Sequence, residues 1–257
     1  MDVSRDWPIA FFDSGVGGVS VLREAVKRMP EENFIYFGDS ANAPYGTKSE
    51  EEIRRLTLTH ARRLYRMSIK ALVIACNTAT SAAIRPLREI YTDIPVIGIE
   101  PALKPAVLSG KHPRVLVMAT PLTVQGSKFH HLLDQYREWG DITALPCPGL
   151  MEYVEKGDLN GPQVRSCLEE LLKPQLEKGV DAIVLGCTHY PFVRPLIREI
   201  AGEQVQILDG GGGTARELQR RLAGMDLLTD RKEKGDICFL ESLPERISLC
   251  RALLGMP

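Results

Sequence analysis

The sequence predicts an α/β protein of two pseudo-symmetric, doubly wound domains with mainly parallel sheets. Three observations carry this expectation. Short continuous apolar runs alternate with helical patterns along the chain, as expected for parallel strands covered by helices on both faces. The segments "KALVIACNTATSAAIRPLREI" and "DAIVLGCTHYPFVRPLIREI" line up, with Ala71 to Cys76 matching Ala182 to Cys187 without a gap. An internal duplication with one copy per half produces such a match. The length, 257 residues, accommodates two modest domains, each with a core of its own.

The elements follow in order. "PIAFFDSG" reads as a strand ending in a Gly-containing turn, and "VSVLREAVKRM" as a helix stopped by Pro30. "NFIYFGDS" is a second strand. "SEEEIRRLTLTHARRLYRM" is a helix, with Ser49 and Glu52 spaced as a capping box and Ile53, Leu56, Ala61 and Leu64 largely on one face. "KALVIAC" is a third strand. Pro101 and Pro105 mark the crossing into the second unit, which opens on the strand "PRVLVMAT". "GPQVRSCLEELLKPQLEKG" is mostly helical; Pro174 is expected to bend or divide it, and Gly179 to stop it. "VDAIVLGC" and "EQVQILDGGGG" are further strands, and "TARELQRRLAG" closes as a helix.

Composition excludes several classes. With 44% hydrophobic residues, 25% charged residues and a net charge of -1, nothing points to a nucleic-acid-binding surface or an acidic disordered tail. No apolar run is long enough to span a membrane. The start "MDVSRDWPIAFFDSG" has no signal-peptide pattern. A cytoplasmic protein is therefore expected, with the six cysteines kept as thiols. No CxxC is present, which weakens redox and zinc-ribbon readings.

The chemistry centres on Cys76 and Cys187. Ligands of open α/β sheets bind beyond the carboxyl ends of the strands, and both cysteines fall there, each before a predicted helix. Free N–H groups and partial positive charge at a helix start favour a thiolate or a bound carboxylate. Asn77, Thr78 and Thr188 add polar groups at the same points. A lone cysteine at a strand end is more often a small apolar filler; the polar neighbours and the repetition favour function. Cys147, Cys167, Cys238 and Cys250 lack such a setting and read as structural. Two opposed thiols suit inversion at a carbon, one removing a proton from one face and the other delivering a proton to the opposite face. Asp13, which ends the first strand, and His189, two residues after Cys187, are candidates to assist them. Asp13 also reads as a turn or cap residue, and His189 as a core histidine. The loop "GDSANAPYGTKS" brings Pro44, Tyr45 and Gly46 as a wall or lid near a small ligand, or forms an ordinary surface loop. "DSGVGG" and "DGGGGT" lack the pattern of a P-loop. A metal held by Cys76, Cys187 and His189 has the wrong spacing for structural zinc.

"FFDSGVGG", "YFGDSANAPYG", "ACNTATS" and "GCTHYP", in this order over most of the chain, resemble the glutamate racemases, cofactor-independent enzymes that interconvert L- and D-glutamate for bacterial cell walls. The resemblance implies a first domain of residues 1–100 plus 209–257, a second of 101–208, and a site in the cleft between them. It implies Cys76 and Cys187 as the acid/base pair, the first acting on D-glutamate and the second on L-glutamate. By motif position it places Asp13, Ser14, Pro44, Tyr45, Gly46, Asn77, Thr78, Thr123, Thr188 and His189 at the substrate. Glu155, or Glu152 three residues earlier, would stand near Cys187 and His189. The resemblance implies no cofactor, no metal and a homodimer. One departure is plain: where the family has A-T-x-G-T-V-x-S-x-x-Y, this chain reads "MATPLTVQGSKFHHLL", keeping Thr123 but carrying Leu122, Gly126 and Phe129. The short lead into the first strand resembles members without an N-terminal extension for a cell-wall precursor acting as activator. Racemisation of aspartate or another amino acid, and non-catalytic binding of a small carboxylate, are the alternatives; related aspartate enzymes tend to carry Glu at the position of His189.

Overall fold

A computed structural model describes residues 3–256. Two compact units divide the chain: one runs to Glu100 and resumes at Gly211, and the other is Pro101–Gly210. The expected return to the first unit at about 209 thus falls two residues later.

In the first unit, β1 (Ile9–Asp13) leads to α1 (Val19–Arg28), β2 (Phe34–Gly38), α2 (Glu50–Tyr65), β3 (Ala71–Ile74), α3 (Asn77–Ile90) and β4 (Val96–Gly98). The second unit contains α4 (Leu103–Val107), β5 (Arg114–Ala119), α5 (Pro121–Gln125), α6 (Ser127–Tyr136), β6 (Asp141–Pro146), α7 (Leu150–Glu155), α8 (Pro162–Leu176), β7 (Ala182–Leu185), α9 (Arg194–Ala201) and β8 (Gln206–Asp209). The chain then returns to the first unit through α10 (Gly211–Gly224), β9 (Ile237–Glu241) and α11 (Ile247–Leu254). The strand order is β4-β3-β1-β2-β9 in one sheet and β6-β5-β7-β8 in the other. Every pairing is parallel.

The apolar runs become central strands because such strands are covered on both faces. All residues of β1, β2, β3 and β7 are buried. Each buried Val, Ile, Leu or Phe there contributes about 1.5–3 kcal/mol relative to exposure. Three strands went unrecognised in the sequence, β4, β6 and β9, and each is an edge strand. β6 alternates exposed and half-buried positions over most of its length, and β9 buries only Phe239. Of the three, β6 carries little apolar signal, β4 is only three residues long, and β9 follows a polar stretch after α10.

Two expectations are corrected. Pro174 does not divide α8, which continues to Leu176; so near the end, the ring removes one backbone bond and the helix stops two residues later. Gly179 then takes φ +84°, the left-handed conformation that suits a stop. At α2 the capping box is half made. Ser49 Oγ accepts the Glu52 N–H at 3.2 Å, while Oε1 of Glu52 meets Lys48 Nζ at 3.0 Å.

Candidate active site

Strand register sets the cluster around Cys76 in the first unit. Phe12 pairs with Ile74 and Asp13 with Gly38, so Asp13, Asp39 and Cys76 all emerge at the carboxyl edge of one sheet. Gly18 at the start of α1 permits close approach of helix to strand: a Cβ there would lie 2.6 Å from Asp13 Cβ and 3.0 Å from Ala75 Cβ. Asp13 is fully buried, and its Oδ1 accepts the Gly15 N–H at 3.0 Å and the Ser14 hydroxyl at 3.5 Å. Its turn role therefore coexists with a link toward Cys76 through the Ser14 hydroxyl.

Cys76 is the N-cap of α3, and its sulfur accepts the Ala79 N–H at 3.4 Å. Ser14 Oγ lies 3.4 Å from the same sulfur. The helix start thus stabilises negative charge on Cys76 through a hydrogen bond as well as through its partial positive charge. Asn77 and Thr78 form the first turn and are nearly buried. The buried Oδ1 of Asn77 has no hydrogen-bond partner.

Tyr45 is buried, and its hydroxyl donates to Asp39 Oδ2 at 2.7 Å. Burial first, and then the charge of Asp39, pushes the phenol up; Cys76 and Asp13 contribute as well, which sets Tyr45 within electrostatic reach of both. Pro44 and Gly46, on either side, are half-buried.

The cluster around Cys187, in the second unit, is built differently. Gly186 packs tightly, since a Cβ would stand 2.8 Å from the Met118 carbonyl oxygen. Cys187 follows it, but no α-helix starts there. Residues Tyr190–Val193 form a 3-10 turn, and α9 opens only at Arg194. The expectation of a helix start beside each cysteine holds for Cys76 and fails for Cys187. The cause is visible in the repeat: the Arg-Pro pair lies inside α3 in one copy, and opens α9 in the other.

Cys187 has a histidine instead. His189 Nδ1 is 3.6 Å from Cys187 Sγ, and His189 Nε2 is 2.7 Å from Glu155 Oε1. Thr188, His189 and Glu155 are all buried. Burial alone would push the His189 imidazolium down. The hydrogen bonds to Cys187 and Glu155 outweigh it and hold the ring well above the usual histidine range. In its protonated form the ring donates to the sulfur and to the carboxylate at once. Of the two glutamates on α7, Glu155 makes this contact. Glu152 lies on the same helix, with a buried Oε2 that has no hydrogen-bond partner.

Thr123 is buried in the first turn of α5, where its N–H bonds Thr120 Oγ1 at 3.3 Å and the two hydroxyls meet at 2.9 Å. Among the departures from the family pattern, Phe129 packs into the core of the second unit with Leu103, Val107, Val117 and Val184. Gly126 joins α5 to α6, and Leu122 is half-buried. Cys147 is a buried thiol donating to the Leu145 carbonyl, and burial pushes it far up, as suits a structural residue. Sequence reasoning missed Asp39 and His60, described below. The signal for Asp39 was present: β1 and β2 both run into Asp-Ser. Among the described residues no group of three or more His, Cys, Asp or Glu side chains could hold a metal ion. No helix among them is long and apolar enough to cross a membrane.

Residues 14–218 match the Asp/Glu/Hydantoin racemase family. The chain belongs to this family. A glutamate racemase of Clostridium perfringens is 51% identical over 245 residues, covering 95% of this chain and 94% of that protein. Glutamate racemase isoform RacE1 of Bacillus anthracis superposes with a TM-score of 0.88 at 31% identity, covering 98% of this chain and 95% of the other. The glutamate racemase of Francisella tularensis, solved in complex with D-glutamate, gives 0.84 at 30% identity, covering 98% and 95%. The family match spans both cysteine segments, Ser14, the Tyr45 loop and Glu155.

Proposed function

We propose that this racemase interconverts L- and D-glutamate without a cofactor, through Cys76 and Cys187. The observation that carries the reading is that two matching strand segments each lead, two residues on, to a buried cysteine with its own polar partner. For Cys76 these partners are the Ala79 N–H and Ser14; for Cys187, His189 backed by Glu155. Curated relatives near 50% identity over nearly the whole chain carry the same activity in their names.

The α-proton of an amino acid is very weakly acidic, so the site must stabilise the carbanion formed when it leaves. In the proposed reaction one thiolate takes the α-proton of glutamate. The electron pair moves onto the α-carbon and into the carboxylate, whose growing negative charge meets N–H and hydroxyl donors. The other thiol gives its proton to the opposite face, leaving the enantiomer and an exchanged pair of protonation states. Cys76 acts on D-glutamate and Cys187 on L-glutamate. Asn77 Oδ1 is an acceptor suited to the substrate ammonium, while Thr78, Thr123 and Thr188 offer hydroxyls. Tyr45 spends its proton on Asp39, so toward substrate its hydroxyl oxygen can only accept. The product serves peptidoglycan synthesis, and the enzyme works in the cytoplasm as a homodimer.

Proton NMR of L-glutamate with the enzyme in deuterium oxide tests the reading. The α-proton signal should disappear and D-glutamate should accumulate, and aspartate should turn over far more slowly. Cys76→Ser and Cys187→Ser should each lose most racemisation. Full activity in both single variants would sink the two-thiol mechanism. Binding of glutamate without exchange would make the chain a binding protein, and faster turnover of aspartate would reassign the substrate.

A further inference from the structure

Asp39 is fully buried at the end of β2 and is held by three side chains. Asn42 Nδ2 reaches both of its oxygens, at 2.9 and 3.0 Å, and the Tyr45 hydroxyl bonds Oδ2 at 2.7 Å. The third side chain comes from a separate element: His60 Nε2, on α2, lies 3.1 Å from the same Oδ2. Burial would raise the carboxyl, but the bonds from His60, Asn42 and Tyr45 outweigh it and hold Asp39 below its ordinary range. An ionised carboxylate only accepts, so His60 must carry its proton on Nε2. The ring has little freedom to turn away. It packs against Phe37 at 4.7 Å between centroids and against Phe12 at 5.7 Å, and its side chain is 16% exposed. The Asp39 N–H also bonds the Asp13 carbonyl at 3.0 Å. One carboxylate thus ties the sheet edge beside Cys76, the loop bearing Tyr45, and a helix that supplies no candidate substrate contact.

We propose that His60 is a positioning residue for substrate binding: from α2 it fixes the Asp39 carboxylate, which in turn fixes Tyr45 and the Pro44–Gly46 loop against the Cys76 half-site. The inference rests on the glutamate racemase reading above. Its effect belongs in KM, because the loop sets ground-state contacts, and should barely touch kcat, because neither thiol bonds His60.

The test compares two replacements that separate packing from hydrogen bonding. His60→Phe keeps a ring against Phe37 and Phe12 and loses the donor. His60→Gln loses the ring and keeps an amide N–H that can reach Asp39. Loss of a bond to a buried charge is worth about tenfold or more in binding. We expect His60→Phe to raise KM for both enantiomers about tenfold with kcat within about threefold, and His60→Gln to return KM to within about threefold of the parent. Thermal unfolding of each variant confirms that folded enzyme is compared, and His60→Leu takes the place of His60→Phe should that chain not fold. Unchanged KM in the folded donor-less variant overturns the proposal. So does a glutamine variant as impaired as phenylalanine, or a fall in kcat at constant KM. A parent enzyme that fails to racemise glutamate would instead overturn the functional reading, and is scored before any variant is made.

Discussion

Replacing Glu155 by glutamine isolates the charge behind His189. Glutamine matches the size of glutamate and can still accept a hydrogen bond, so the 2.7 Å contact to Nε2 can persist. What goes is the negative charge beside a buried ring. A hydrogen bond to a charged group is worth about 1.5–3 kcal/mol and a neutral one about 0.5–1.5, so the substitution costs about 1–1.5 kcal/mol, or about tenfold. The full Coulomb interaction of two unit charges ~4 Å apart at an effective dielectric near 20, about 4 kcal/mol, sets an upper bound near a thousandfold. We expect kcat/KM to fall between those limits. Because L- and D-glutamate are equal in free energy, the fall must be the same in both directions even though Glu155 backs only Cys187. The asymmetry should surface in kcat and KM separately. Initial rates from each enantiomer, followed by circular dichroism, give all four constants. Glu152→Gln is the control and should stay within about twofold. A Glu155→Gln enzyme as fast as the parent, paired with a crippled Glu152→Gln enzyme, would refute the assignment of the relay.

Three further outcomes follow from the geometry. His189 has a folded-state value raised above its unfolded one, so its stabilisation is complete below about pH 6.5 and fades as pH rises through the higher folded value. The urea midpoint should therefore decline on the alkaline side and lose part of that slope in His189→Asn; a midpoint rising with pH there contradicts the reasoning. Lys70 is fully buried and pairs with Glu32 at 2.5 Å, so Lys70→Met should cost about 3–5 kcal/mol in urea unfolding, with Glu32→Leu in the same chain recovering most of it. Gly18→Ala forces a Cβ to 2.6 Å from Asp13 Cβ; it should lower stability by about 1–3 kcal/mol and weaken glutamate binding, read from Tm and KM together.

The parts of this protein legible in the sequence are those whose signal is local. Central strands such as Ala71–Ile74 and Ala182–Leu185 are apolar throughout because both faces are covered, and their run into Cys76 and Cys187 is visible without any structure. The edge strand β6 hid because a half-solvated segment looks like a loop, and β4 because it is only three residues long. The network around Asp39 hid for another reason. His60 belongs to no motif and sits on α2, a helix whose apolar face explains its presence by packing alone. Its partner lies 21 positions earlier. Glu155 and Glu152 could not be separated either, since helical spacing of three puts both near one face of α7; only the coordinates show which carboxylate meets His189.

The two cysteines end in unlike surroundings, and the reaction proposed for them allows this. A racemase needs each thiol to remove a proton in one direction and supply one in the other. That demands two groups able to exchange protonation states, not two identical sites. The first copy stabilises its sulfur with a helix start, the Ala79 N–H and Ser14. The second has no α-helix start, its α9 opening only at Arg194, and has the buried His189 ring beside its sulfur instead. Each device sets a polar partner at the sulfur. They differ in their response to solvent conditions. A helix terminus does not titrate, whereas His189 can lose its proton at high pH and with it the charge that supports Cys187. Alkaline inactivation should therefore enter through the second half-site first. Alkylation of Cys187 by iodoacetamide should change with pH in step with the His189 titration in the parent and lose that step in His189→Asn, while alkylation of Cys76 should be the same in both chains. Identical profiles for the two cysteines would mean that the unlike surroundings make no chemical difference.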